Sequence, residues 1–122
     1  MAKKILVIDD DPQTVDYLVT LFSDNGYQTC AAKDAAQAFE VMKSEKPDLM
    51  TLDLDMPEIA GPLFYIKVSK MEEFKNIPVV VISGLHVPHR AIKKAVASFT
   101  KPFDRKELLT AVARIIGPSS PM

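Results

Sequence analysis

The chain has 122 residues, 48% of them hydrophobic and 25% charged. This is a single-domain length with an ordinary globular composition, which excludes a disordered, collagen-like or disulfide-stapled chain. Its net charge of -1 hides an asymmetry: residues 1–60 carry five Lys and Arg against twelve Asp and Glu, a balance of -7, while residues 61–122 carry ten against four, a balance of +6.

The chain as a whole lacks the basic character of a nucleic-acid binder. The single cysteine, Cys30, cannot form an internal disulfide and has no CxxC or metal-ligand neighbours, so it reads as a small buried side chain in a reducing compartment. The opening MAKKILVIDDD places four apolar residues between a basic pair and three carboxylates. A signal peptide needs an apolar core of about 7–15 residues and a membrane span about 18. The expected location is cytoplasmic, away from membranes.

Two periodicities alternate along the chain. Residues 5–8 form an apolar run apolar on both faces, the pattern of a strand covered on two sides. Asp11-Pro12 then supplies an N-cap and a first-turn proline, Val15, Leu18, Val19 and Phe22 form a helical stripe, and Gly26 stands where a helix would stop. A weaker strand follows at 27–32. Asp34 caps a second stripe of Ala35, Ala38, Phe39 and Met42, with Pro47 past its end. Residues 49–52 form a third strand. Gly61-Pro62 opens a third helical pattern in which Phe64, Tyr65, Val68 and Met71 share one face, with Leu63 and Ile66 off it. An apolar run at 77–82, with Pro78 preceding the fourth strand, leads to a short or irregular helix around 88–96 and a weak strand at 98–100. Asp104 caps the last helix, striped by Leu108, Val112 and Ile115. GPSSPM at 117–122 cannot continue a helix and reads as a flexible tail or the start of a linker, leaving residues 1–116 as the domain.

Five strands alternating with five helices imply an α/β fold, a doubly wound parallel sheet with helices on both faces. The order expected is the flavodoxin-like 2-1-3-4-5, which would make strands one and three neighbours. Ligands of such sheets bind beyond the carboxyl ends of the strands. There the first strand offers Asp9, Asp10 and Asp11, the third Asp53 and then Asp55, the fourth Ser83, and the fifth Lys101. Converging carboxylates repel one another unless a cation intervenes, and hard oxygen ligands of this kind suit Mg²⁺. Lys101 adds a positive charge, Ser83 a hydroxyl and Asp53 a carboxylate nucleophile that could carry a phosphoryl group. Asp11 reads as a helix cap rather than a ligand.

The ordered set ILVIDDD, PDLMTLDLDMP, IPVVVIS and TKPFD resembles the receiver domains of two-component response regulators over residues 3–116. The resemblance implies that Asp53 is the phosphoacceptor, taking a phosphoryl group from the phosphohistidine of a sensor histidine kinase or phosphotransfer protein. It implies that Asp10 and Asp53, with the backbone carbonyl of Asp55, hold Mg²⁺, and that Asp9 contributes through water. Ser83 matches the switch hydroxyl and Lys101 the phosphate-contacting lysine. Phosphorylation would reshape the surface of the fourth helix, fifth strand and fifth helix for a downstream effector protein or domain, with dimerisation on phosphorylation left open. The chain would be a signalling domain, an enzyme only toward its own phosphorylation and dephosphorylation.

Departures from the pattern keep other functions in play. The position three before Lys101 is Ser98 rather than an aromatic, and Phe99 follows on what alternation makes the opposite face. Seventeen residues separate Ser83 from Lys101, which shortens the fourth helical region, and Ala60 replaces a common acidic residue. His86, His89, Arg90, Lys93 and Lys94 make that region a basic, solvated surface. One alternative is a receiver-fold interaction module whose binding ignores phosphorylation. A more remote one is a Mg²⁺-dependent phosphohydrolase using the DxD of DLDMP, although that arrangement belongs on a first strand.

Overall fold

A computed structural model of the chain describes residues 3–53, 66–83, 97–101 and 103–117. It contains a five-stranded sheet: β1 (Lys4–Ile8), β2 (Gln28–Ala32), β3 (Leu49–Leu52), β4 (Val79–Ser83) and β5 (Ala97–Thr100). The order is β2-β1-β3-β4-β5 and every pair is parallel, the flavodoxin-like arrangement expected. Among the described residues it is accompanied by the helices α1 (Pro12–Asp24), α2 (Ala35–Glu45) and α3 (Arg105–Ile116). Residues 66–69 are also helical.

The central strands are apolar at nearly every inner position, buried Thr51 of β3 being an exception, because both of their faces are covered. Leu6, Ile8, Met50, Leu52, Val79 and Val81 pack on one side with Ala35, Ala38 and Met42 of α2 and with Val68 and Phe74. Ile5, Val7, Leu49, Val80 and Ile82 pack on the other with Leu18 and Phe22 of α1 and Leu108 and Val112 of α3. Each large side chain buried in this way contributes about 1.5–3 kcal/mol relative to its exposed state.

The helix ends are built as the sequence indicated. The carboxylates of Asp11, Asp34 and Asp104 accept backbone N–H bonds at the starts of α1, α2 and α3, caps worth about 0.5–2 kcal/mol each. At the end of α1, Gly26 adopts φ 90°, its N–H reaches Ser23 O, and the N–H of Tyr27 reaches Phe22 O, both at 3.1 Å. The Tyr27 and Phe22 rings meet edge-on at 6.3 Å, completing a Schellman ending with its hydrophobic contact. α2 ends differently, on Lys46 in the left-handed region at φ 49°, with Pro47 blocking continuation.

The start of β2 and the burial of Cys30 differ from expectation for local reasons, while β4 begins just after Pro78. β2 starts at Gln28, because the N–H of Tyr27 is used in closing α1. β4 starts at Val79: the Ile77 N–H bonds to Phe74 O at 3.0 Å in a turn, and Pro78 joins the sheet only through its carbonyl, which accepts from Met50 N. Cys30 is half-buried rather than buried, since β2 is the edge strand, and its thiol lies 3.8 Å from Ile5 O. In the third helical pattern Val68 is buried, Met71 half-buried and Ile66 exposed, matching the expected stripe. Ala60, Gly61-Pro62, Leu63, Phe64 and Tyr65 lie outside the described residues, as do the expected helix at 88–96, the basic residues from His86 to Lys94, and 118–122.

Among the described residues no helix is long and apolar enough to cross a membrane.

Candidate functional site

The sheet register assembles the site. Ile8 is level with Leu52 across the β1–β3 pair, so the next residue of each chain segment, Asp9 and Asp53, emerges side by side at the carboxyl edge. The Asp53 N–H donates to Ile8 O at 3.0 Å and the Asp9 N–H to Ala32 O at 3.1 Å, so hydrogen bonding continues past the strands and fixes both Cα positions. Lys101 follows directly on β5, whose Ala97 and Phe99 face the α1 and α3 layer. Ile5 and Val7 of β1 and Leu49 of β3 face the same layer. Strand alternation therefore aims Asp9, Asp53 and Lys101 toward one side.

Their side chains meet. Lys101 Nζ donates to Asp9 Oδ2 at 2.8 Å and lies 3.7 Å from Asp53 Oδ2. The second oxygen of Asp9, Oδ1, accepts from the backbone N–H of Asp11 at 2.9 Å. Asp9 and Asp53 are buried, at 2% and 6% exposure, whereas Asp10 is exposed. Each of the three carboxylates offers an oxygen within 4.8 Å of the others.

Burial pushes the Asp9 carboxyl above its ordinary range, a rise that the Lys101 and Asp11 hydrogen bonds oppose and the Asp53 charge reinforces. Burial draws Lys101 down, but its hydrogen bond to Asp9 and the charges of Asp9, Asp53 and Asp11 outweigh that and leave it above its usual value. Lys101 is thus a fixed positive charge. Asp11 moves the other way, held low by Thr14 Oγ1 at 2.8 Å and by the Gln13 N–H at 3.2 Å.

The donor set suits a hard divalent cation. Three carboxylates against one ammonium leave a formal balance of -2 in a site half sealed by the sheet, and exposed Asp10 gives a hydrated ion an approach. A cavity of about 250 Å³ lies against Asp9 and Asp10, floored by Pro12, Val15 and Ala32 and rimmed by Asp16, Lys33 and Gln37.

Of the residues singled out in the sequence, Asp9, Asp10, Asp53 and Lys101 are brought together. Ser83 ends β4 level with Thr100, one residue before Lys101; its side chain lies outside the described residues, as do that of Ser98 and all of Asp55. Phe99 is half-buried against the α1 and α3 layer, the face that strand alternation assigned to it. Sequence reasoning missed the bond from the Asp11 N–H to Asp9 and the part of Thr14 in holding Asp11. The available signal was an N-cap Asp followed three residues later by a hydroxyl.

A sequence model described as the response regulator receiver domain matches residues 5–113. The chain belongs to this family. It is a receiver domain of the two-component type, a phosphotransfer-related signalling domain. Protein Rrf1 of Nitratidesulfovibrio vulgaris is 35% identical to this receiver over 116 residues, 95% of this chain and 84% of Rrf1. Sporulation initiation phosphotransferase F of Bacillus subtilis is 30% identical over 120 residues, 95% of each chain. Other curated relatives, sensor kinases and transcriptional regulators among them, are longer, and the receiver spans 12% to 55% of their length. Among solved structures, the chemotaxis protein CheY4 of Vibrio cholerae matches the receiver with a TM-score of 0.87 at 24% identity, over 94% of this chain and 99% of CheY4, a likeness of fold.

Proposed function

We propose that this receiver accepts a phosphoryl group on Asp53 from the phosphohistidine of a sensor kinase or phosphotransfer protein, and that the aspartyl phosphate alters its affinity for a downstream effector. The observation that carries this reading is the pairing of a buried Asp53 carboxylate with Lys101 Nζ at 3.7 Å, beside two further carboxylates.

An Asp53 oxygen attacks phosphorus in line with the leaving imidazole. The new O–P bond replaces the N–P bond, and the electron pair of that bond returns to the imidazole nitrogen. Lys101, already positioned by Asp9, lies close enough to Asp53 to meet the phosphoryl oxygens as charge spreads over them. Asp10 and Asp53, with the Asp55 carbonyl, would hold Mg²⁺, and Asp9 would reach it through water. When bound, the ion offsets the carboxylates and the charge of the transferring group. Ser83, at the end of β4, is assigned the switch hydroxyl. The receiver unit is assigned to residues 1–116.

Incubation of the chain with Mg²⁺ and a small phosphodonor is expected to label the wild type and leave Asp53→Asn unlabelled. Equal labelling of the two would overturn the assignment.

A second reading, an interaction module indifferent to phosphorylation, is favoured by one observation: the aromatic near Lys101 is Phe99, half-buried against the α1 and α3 layer. It requires partner affinity to be the same with and without phosphodonor. A change in affinity rejects it.

A further inference from the structure

Asp11 lies beside the carboxylate cluster without being part of it. Its carboxylate caps α1, with Oδ1 accepting the Gln13 N–H at 3.2 Å and Oδ2 the Thr14 hydroxyl at 2.8 Å. Both bonds run forward into the helix. Its own N–H runs backward, to Asp9 Oδ1 at 2.9 Å. The other oxygen of Asp9 is held by Lys101 at 2.8 Å. Asp9 is therefore gripped on one side by a residue of β5's end and on the other by the first residue of α1's cap.

We propose that Asp11 is a positioning residue for the cation site: by capping α1 it fixes the peptide whose N–H orients Asp9. The inference rests on the Mg²⁺ reading above. Its physical basis is that one carboxylate oxygen held at 2.9 Å and the other at 2.8 Å cannot rotate about its Cβ–Cγ bond without breaking a hydrogen bond. The lone pairs left over keep a set direction, in a cluster whose three carboxylates each offer an oxygen within 4.8 Å of the others. Partners of this outer kind are commonly worth about 10- to 100-fold in metal affinity. Pro12 works in the same sense, because the residue before a proline is biased to extended backbone, and Asp11 sits at φ -88°, ψ 112°. The question is whether the proline alone suffices.

Calorimetric titration of the full chain with Mg²⁺ answers it, using four variants. Asp11→Ala removes the cap, and its expected effect is about a tenfold loss of Mg²⁺ affinity. Asp11→Asn keeps a capping oxygen and is expected to restore affinity to within about twofold of wild type. Thr14→Val removes only the hydroxyl bond and is expected to fall between them. Asp34→Ala deletes the corresponding cap of α2, where Asp34 accepts from Gln37 N–H at 2.8 Å. It loses helix stability but keeps wild-type affinity. Exchange of the residue 11 amide, measured in parallel, is expected to quicken in Asp11→Ala. Wild-type affinity in Asp11→Ala, or an equal loss in Asp34→Ala, overturns the inference and leaves the Mg²⁺ reading intact. A loss in Asp11→Asn as large as in Asp11→Ala also overturns it, since charge rather than the cap would then be acting. Absence of Mg²⁺ binding by the wild type instead removes the reading itself, and the inference with it. Should Asp11→Ala not fold, Thr14→Val carries the test alone, and wild-type affinity there is the contrary result.

Discussion

Lys101 and Asp9, 92 residues apart in sequence, form a 2.8 Å ion pair at the carboxyl edge of the sheet, with Asp9 at 2% exposure. The pair is shorter than the 3.7 Å approach of the same ammonium to Asp53. Lys101 is docked on Asp9 and only near Asp53, so under the proposed function the charge that would meet the phosphoryl oxygens is already in place.

The pair does not fully offset the burial of Asp9. Its carboxyl titrates above the ordinary value because of burial, so the folded state holds that proton more tightly than the unfolded chain does. The stability contributed by the group is then greatest below the unfolded value of 3.8 and is lost as pH rises through the folded one. Asp9→Asn, measured without added metal, is expected to raise the melting temperature at pH 7. The gain disappears below pH 3.8, where the carboxyl is protonated in both states. Melting curves of both proteins across pH check this. A variant less stable than wild type at pH 7 contradicts it.

Mg²⁺ that binds the folded carboxylates but not the unfolded chain stabilises by mass action, about 2.7 kcal/mol at a hundredfold excess over Kd. The wild type is expected to melt at higher temperature as Mg²⁺ is added, and Asp10→Asn or Asp53→Asn to lose most of that response. Thermal scans with and without Mg²⁺ and with chelator measure it.

Cys30 provides a control remote from the site. Burial pushes its thiol up to about 11, from 9.0. The folded thiolate fraction near neutral pH is then about a hundredfold below that of the unfolded chain, and alkylation should slow accordingly. The same shift predicts a stability contribution present below pH 9 and lost as pH rises toward 11, because the folded state retains the proton longer. Alkylation rates in native buffer and in denaturant test the first part.

The Tyr27 hydroxyl donates to Gly117 O at 3.1 Å, tying the end of α3 to the turn after α1. Tyr27→Phe keeps the ring contact with Phe22 and deletes the bond. The expected cost is about 1 kcal/mol in denaturant unfolding, with labelling of Asp53 unchanged.

What the sequence disclosed was local or patterned. The runs at 5–8 and 49–52 are apolar on both faces, which announced a doubly covered sheet. Asp11, Asp34 and Asp104 cap because short acceptors followed by helical stripes are their own signal. The strand-end acids were legible because parallel topology, once inferred, says where strand ends go. Contacts set by packing across the chain left no such trace. The 90-residue reach of Tyr27 to Gly117 has no spacing to read, and the topology that put Lys101 among the acids did not say which of them it would bond. Phe74, buried at 3% after a turn, belongs to no stripe. Pro78 marked the strand start at Val79, although apolar Ile77 before it spends its N–H on a turn.

The central claim is that Asp53 carries the phosphoryl group. After incubation with Mg²⁺ and phosphodonor, borohydride reduction converts an aspartyl phosphate to homoserine, which peptide mass spectrometry locates. The expected result is homoserine at position 53 alone, absent from the untreated protein and from Asp53→Asn. Modification at Asp9, Asp10 or Asp55 with position 53 intact, or none at all, would contradict the account.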